Sequence, residues 1–239
     1  MSKFKLALDA GHGLPTAGRR TMKEYDPLEW QEWELNDRIC DYIAEEAAVY
    51  PDLETMRVDD DDGSEDRPMS QRVSTANEWG ADLYLSIHHN AGIYGGRGGG
   101  VTAYSYREGT TGAAWRDAFY DRIIEKTGLK GNRATPKNSA AYYVLYATDM
   151  PAVLIEHGFM DSPSDIPAII SDEFAHQVAK AYVEVIAERA GLDRHEPEKA
   201  GSGYFRVQVG AFKKRENAEK VLAELNAAGF QDAYIKWGE

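Results

Sequence analysis

Short apolar runs alternate along this chain with longer stretches whose apolar residues recur at helical spacing, and no other feature limits the fold as much. Phe4–Asp9, Leu53–Val58, Asp82–Ile87, Val101–Tyr106 and Ala152–Ile155 have the length and composition of strands. Leu28–Val49, Ser70–Trp79, Thr111–Thr127 and Glu173–Ala190 read as helices. Strands joined through helices run parallel, because a parallel pair needs a long crossover connection. The expected fold is therefore α/β: a mostly parallel twisted sheet flanked by helices.

Composition narrows the roles. The 239 residues are 43% hydrophobic, enough to bury a sizeable core. Forty acidic against 27 basic residues give a net charge of −13, the reverse of what phosphate contacts demand, so no nucleic-acid partner is expected. No apolar run is long enough to span a bilayer, so no membrane insertion is expected either. Met1-Ser2-Lys3-Phe4-Lys5-Leu6 leads straight into the first strand without the regions of a signal peptide. Synthesis in the cytoplasm without a signal peptide is the expectation, any outside substrate being met after lysis or through a phage membrane pore. The single cysteine, Cys40, forms no internal disulfide and reads as a buried, inert thiol within a helix. The acidic run Asp59–Asp62 lacks the spaced ligands of a calcium loop and reads as solvated. The glycine cluster Gly95–Gly100 precedes a strand rather than a helix, and reads as a flexible loop rather than a phosphate cradle.

Ligands of an open α/β sheet bind beyond the carboxyl ends of its strands. Three apolar runs end on groups that bind metals or move protons: one on His12, one on His88 or His89, and one on Glu156. A helix adds a carboxylate, and periodicity says which. Glu32 lies three residues before Leu35 and seven before Ile39, on the buried stripe, whereas Glu34 falls with Arg38, Asp41 and Glu45 on the polar face. An inward carboxylate is costly unless paired or bound to metal, so Glu32 is the candidate ligand. Two imidazoles and a carboxylate match hydrolytic zinc sites that keep a fourth position for water. Glu156, after the apolar Ala152-Val153-Leu154-Ile155, suits a proton carrier whose pKa rises on burial.

Asp193–Gly203 has linker composition, and Tyr204–Val209, Lys214–Ala228 and Ala233–Trp237 follow as strand, helix and strand, a small βαβ-type C-terminal segment. Residues 204–239 carry a net charge of +1 and those before them −14, which supports a separate module.

Five blocks carry a resemblance. Leu8-Asp9-Ala10-Gly11-His12-Gly13, Glu32-Trp33-Glu34-Leu35-Asn36, Arg72-Val73 with Ala76-Asn77, Ser86-Ile87-His88-His89-Asn90-Ala91 and Pro151 through Phe159 resemble, in order, the zinc-dependent N-acetylmuramoyl-L-alanine amidases often called Amidase_3. The resemblance implies a catalytic domain over residues 1–192 with one zinc ion on His12, Glu32 and His88. It also implies Glu156 as the catalytic carboxylate, and peptidoglycan, cut between N-acetylmuramic acid and L-alanine, as the substrate. His89 and His157 depart from the family pattern, and strand alternation makes both structural or substrate-lining. The segment Leu14–Glu29, with Arg19 and Arg20, is either a substrate-reading rim or an ordinary surface loop. Residues 204–239, after the 193–203 linker, resemble half of a sporulation-related (SPOR) peptidoglycan-binding repeat. A phage endolysin and a bacterial autolysin fit equally. A zinc peptidase cutting within the stem peptide and a non-catalytic wall-binding protein stay open as alternatives.

Overall fold

The computed structural model describes residues 3–95, 99–195, 215–230 and 234–235. The chain divides into two compact units, residues 1–196 and 197–239. In the first, six strands form one sheet: β1 (Phe4–Ala10), β2 (Leu53–Arg57), β3 (Leu83–Asn90), β4 (Thr102–Ser105), β5 (Lys137–Ser139) and β6 (Ala152–Phe159). Their spatial order is β2-β1-β3-β6-β4-β5. All neighbours pair in parallel except β4 with β6, which is antiparallel. The inversion has a plain cause. Among the described residues no helix separates β3 from β4, so the chain re-enters the sheet at the end where it left and has to run back.

Alternation along the strands sorts the core onto two faces. Leu6, Leu8, Leu83, Leu85, Ile87, Val153 and Ile155 face one way and pack with residues of α1 (Glu32–Ala47), α3 (Thr111–Thr127) and α6 (Asp172–Ala190). Ala7, Tyr84, Ala152 and Leu154 face the other way, against α2 (Met69–Trp79) and the short α4 (Tyr143–Tyr146). The apolar runs were continuous because both faces are covered. Side-chain caps start two of the large helices: Thr110 accepts from the Ala113 amide at 3.2 Å and Ser171 from the Phe174 amide at 3.2 Å. The remaining helix of this unit is α5 (Ile166–Ile169). The second unit contains α7 (Arg215–Ala227), close to the expected 214–228; the two strands expected around it fall on or across residues outside those described.

Several expectations are corrected. The first helix begins at Glu32, not Leu28, because residues 14–31 are tied into a folded loop of their own. The buried Asp26 carboxylate accepts from Thr21 Oγ1 and from the amides of Leu28 (3.1 Å) and Trp30 (3.0 Å), and Glu29 takes a positive φ of 51° that interrupts any helix. The strand carrying Glu156 continues to Phe159, so Glu156 lies inside it rather than after it. The run Asp59–Asp62 is solvated only in part. Asp59 is buried, bonding Arg57 Nε at 2.9 Å and Nη2 at 2.7 Å. The glycine loop is anchored on both sides, Gly95 N–H donating to the Asp161 carbonyl (2.8 Å) and Gly100 N–H to the Asp165 carboxylate (2.7 Å); residues 96–98 lie outside those described. Cys40 is fully buried, as expected, and burial pushes its thiol up.

One buried guanidinium organises the end of β1. Arg72, from α2, donates to Asp9 Oδ1 (2.6 Å), the Ala10 carbonyl (2.7 Å), the His12 carbonyl (2.6 Å), the Arg67 carbonyl (2.8 Å) and Asp66 (3.0 Å). Burial alone would raise the Asp9 carboxyl, but the Arg72 charge and hydrogen bonds hold it below its ordinary value. Removing one partner of such a pair strands the other, so Arg72→Met should destabilise the fold by about 3–5 kcal/mol in urea titrations. A lowered carboxylate stabilises fully above its unfolded pKa and loses that contribution as pH falls through its folded value. The stability gap between the parent and Asp9→Asn should therefore be widest near neutral pH and shrink in acid.

Candidate metal centre

His12, Glu32 and His88 converge at the carboxyl edge of the sheet. His12 sits in the turn after β1 with φ of 71°, a conformation L-residues seldom adopt, held there by the Arg72 bond to its carbonyl. Glu32 opens α1, where the helix dipole favours a carboxylate. His88 is the sixth residue of β3, on the same face as Ser86, which bonds Asp9 at 2.8 Å. His12 Nε2 lies 3.3 Å from Glu32 Oε2, and His88 Nδ1 lies 3.1 Å from Glu32 Oε1. All three ligand atoms fall within 4.8 Å of one another. Bonds of about 2.0–2.1 Å at a tetrahedral centre place neighbouring donors roughly 3.3 Å apart, so the set has the size and chemistry of a divalent-metal site.

The electrostatics are those of neighbouring unlike charges. Burial would raise the Glu32 carboxyl, but hydrogen bonds to His12 and His88 push it far below its usual range. Burial would lower the His88 imidazole; the bond to Glu32, then the charges of Glu156 and Glu32, raise it instead. From the 14–29 segment, Arg19 reaches into the group, Nη1 standing 3.4 Å from Glu32 Oε2. Arg20 turns away to the Glu29 carbonyl.

Glu156 stands directly opposite His88 in the β3–β6 register, on the same face. It is partly buried, and its Oε2 has no hydrogen-bond partner among the described residues. Burial pushes its carboxyl up to about 7, against the pull of His88. A carboxyl at that value both takes and gives a proton near neutrality.

The neighbours go elsewhere. Glu34 points away from the group and accepts from the Gln31 amide at 2.8 Å, closing the start of α1. His89 lies on the opposite face with His157, where Asn36 and Tyr182 bind them. Sequence reasoning assigned no role to Asn36 or Arg72. Asn36 lies one turn after Glu32 on the buried stripe, and a buried carboxamide has to be bonded, which was the available signal.

Residues 6–188 match the family described as N-acetylmuramoyl-L-alanine amidase, and residues 178–238 match the SPOR domain. N-acetylmuramoyl-L-alanine amidase CwlM of Bacillus licheniformis is 33% identical over 168 residues, covering 70% of this chain and 61% of that protein. The endolysin of Bacillus phage SPP1 is 31% identical over 177 residues, 69% of this chain and 62% of its own length. The chain thus spans about three-fifths of the length of these relatives. Among solved structures, the catalytic domain of CwlV, an N-acetylmuramoyl-L-alanine amidase from Bacillus (Paenibacillus) polymyxa, superposes with a TM-score of 0.70 at 22% identity. That match covers 80% of this chain and 99% of that one, and shows the fold.

The approach of the β1 turn to His88 is close enough to test. A Cβ on Gly11 would lie 2.1 Å from His88 Cε1, far closer than van der Waals contact with the imidazole allows. Gly11→Ala should displace His88 from Glu32 and weaken divalent-metal binding at least about tenfold, as loss of ligand orientation does elsewhere; isothermal titration with zinc checks this.

Proposed function

The chain belongs to the Amidase_3 family of N-acetylmuramoyl-L-alanine amidases, and from that membership we propose that it hydrolyses the amide between N-acetylmuramic acid and L-alanine in peptidoglycan. The observation that carries the reading is the placement of Glu156, partly buried and directly opposite His88 in the strand register, beside the His12–Glu32–His88 group. In this reading His12, Glu32 and His88 would hold one zinc ion. When bound, zinc supplies a water of lowered pKa and polarises the scissile carbonyl.

The protein's own groups do the rest. Glu156, facing His88 across the strand pair, accepts the proton of the attacking water on its carboxylate. The same carboxyl then returns that proton to the departing amine of L-alanine, which otherwise leaves poorly. Arg72, by fixing the carbonyls of Ala10 and His12, keeps the His12 imidazole turned towards Glu32. Asn36 holds the intervening carbonyl of Gly11 at 3.0 Å.

The SPOR match supports a second contact with the same polymer, residues 204–239, beyond the catalytic unit, adding affinity for the cell wall. The place of action is accordingly the wall.

Two measurements check the proposal. Glu156→Gln should keep zinc at one ion per chain while kcat/KM falls about 10²–10⁴-fold, the usual share of general acid–base catalysis; full turnover in this variant removes Glu156 from the mechanism. Mass spectrometry of digested peptidoglycan should show whole stem peptides with a free L-alanine amino terminus, and none after chelation. Fragments starting at any other residue would identify a stem-peptide peptidase instead.

A further inference from the structure

His89 and His157 follow His88 and Glu156 by one residue each, so both turn to the opposite face of the sheet. They are 1% and 0% exposed, with ring centroids 5.6 Å apart, and the hydrolytic steps make no use of them. Apolar side chains would fill the same space without the cost of burying ring nitrogens. The bonds these nitrogens make point to another role.

His157 Nδ1 lies 3.1 Å from the backbone carbonyl of His88, which can only accept, so this nitrogen carries the hydrogen. Its Nε2 then accepts from the Tyr182 hydroxyl of α6 at 2.8 Å. His89 Nδ1 lies 2.8 Å from Asn36 Oδ1. Because the Asn36 amide nitrogen donates to the Gly11 carbonyl at 3.0 Å, its oxygen faces His89, and Nδ1 is again the donor. The His89 backbone N–H donates to Glu32 Oε1 at 3.3 Å. These bonds join α6, β6, β3, α1 and the residue before His12 into one brace behind the candidate metal group.

The brace falls where the β3–β6 ladder is interrupted. From His88 to Asn90 strand β3 advances two residues, while β6 advances three from Glu156 to Phe159. The extra residue is a β-bulge. Gly158 takes a φ of 124° within it, and a Cβ there would come within 2.8 Å of Ile169 Cγ2. His88 and Glu156 are the last regular pair before this break, so the ladder alone does not fix them from the far side.

We propose that His89 and His157 are positioning residues that hold His88, Glu32 and the His12 turn in metal-binding geometry across the bulge. The proposal rests on the zinc reading above. It is tested in the full chain with His89→Leu, His157→Leu, His89→Asn and His157→Asn, the asparagine amide standing in for the Nδ1 donor. Zinc affinity is measured by competition with a chelator, and the melting temperature of the metal-free protein is measured alongside to read plain packing. Both leucine variants should bind zinc about 10- to 100-fold more weakly, and both asparagine variants should stay within about threefold of the parent. Leucine variants that bind zinc like the parent overturn the proposal, as does a loss that tracks the metal-free melting temperature and is not recovered by asparagine. If His157→Leu fails to fold, Tyr182→Phe removes only the hydroxyl that orients His157 and should weaken zinc in the same direction; an unchanged affinity counts against the brace equally. A parent chain that binds no zinc removes the metal reading and the brace with it, a result distinct from parent and variants binding alike.

Discussion

The buried pair of Asp9 and Arg72 is the interaction on which the rest of this structure depends. A guanidinium in the core has to have its donors met, and Arg72 meets them by collecting the end of β1: the Asp9 carboxylate and the carbonyls of Ala10 and His12. The same residue grips Asp66 and the Arg67 carbonyl ahead of α2, so one charge fastens the helix, the strand and the turn that carries His12. Asp9 in turn holds Ser86 of β3 at 2.8 Å, two residues before His88. The left-handed backbone of His12 is the visible consequence, a strained residue kept in place by its surroundings.

A second constraint works from the other side of the sheet. β3 and β6 part company at a bulge immediately after the pair His88–Glu156, and bonds from α1 and α6 close over the gap. The candidate metal group is thus flanked on one side by an ion pair and on the other by neutral imidazoles. Burial keeps those imidazoles neutral, pulling His157 down to about 3 and His89 well below its ordinary value, so no positive charge competes with a cation bound beside them. Aspartates secure the glycine loop after β3 in the same manner: Asp161 Oδ2 accepts from Gly92 at 2.8 Å and Tyr94 at 2.6 Å.

Legibility differed from residue to residue for physical reasons. Glu32 could be told from Glu34 because a 3.6-residue period puts only one of them on the stripe of Leu35 and Ile39, and burial follows that stripe. The faces of His88 and His89 are likewise opposite by alternation, but which face carries the chemistry was not legible, since both faces of this sheet are covered by helices. Asp59 misled because a run of four acids reads as solvated until the strand-end Arg57 folds back upon it. The early start assigned to the first helix failed because Asp26 caps its own loop, a local competition that hydrophobic spacing does not record.

By itself the sequence determined the α/β class, the longer strands and helices over the first 190 residues but not the short β5, α4 and α5, and a short set of candidate groups: His12, Glu32, His88 or His89, and Glu156. Those follow from periodicity and from where apolar runs stop, which are properties of neighbours along the chain. Only the tertiary structure decided that β4 runs backwards between β6 and β5, that Glu156 stands inside its strand opposite His88, and which partners Arg72, Asn36, His89 and His157 bond. Each of these depends on contacts between residues distant in sequence, made when buried polar atoms find the partners that burial obliges them to have.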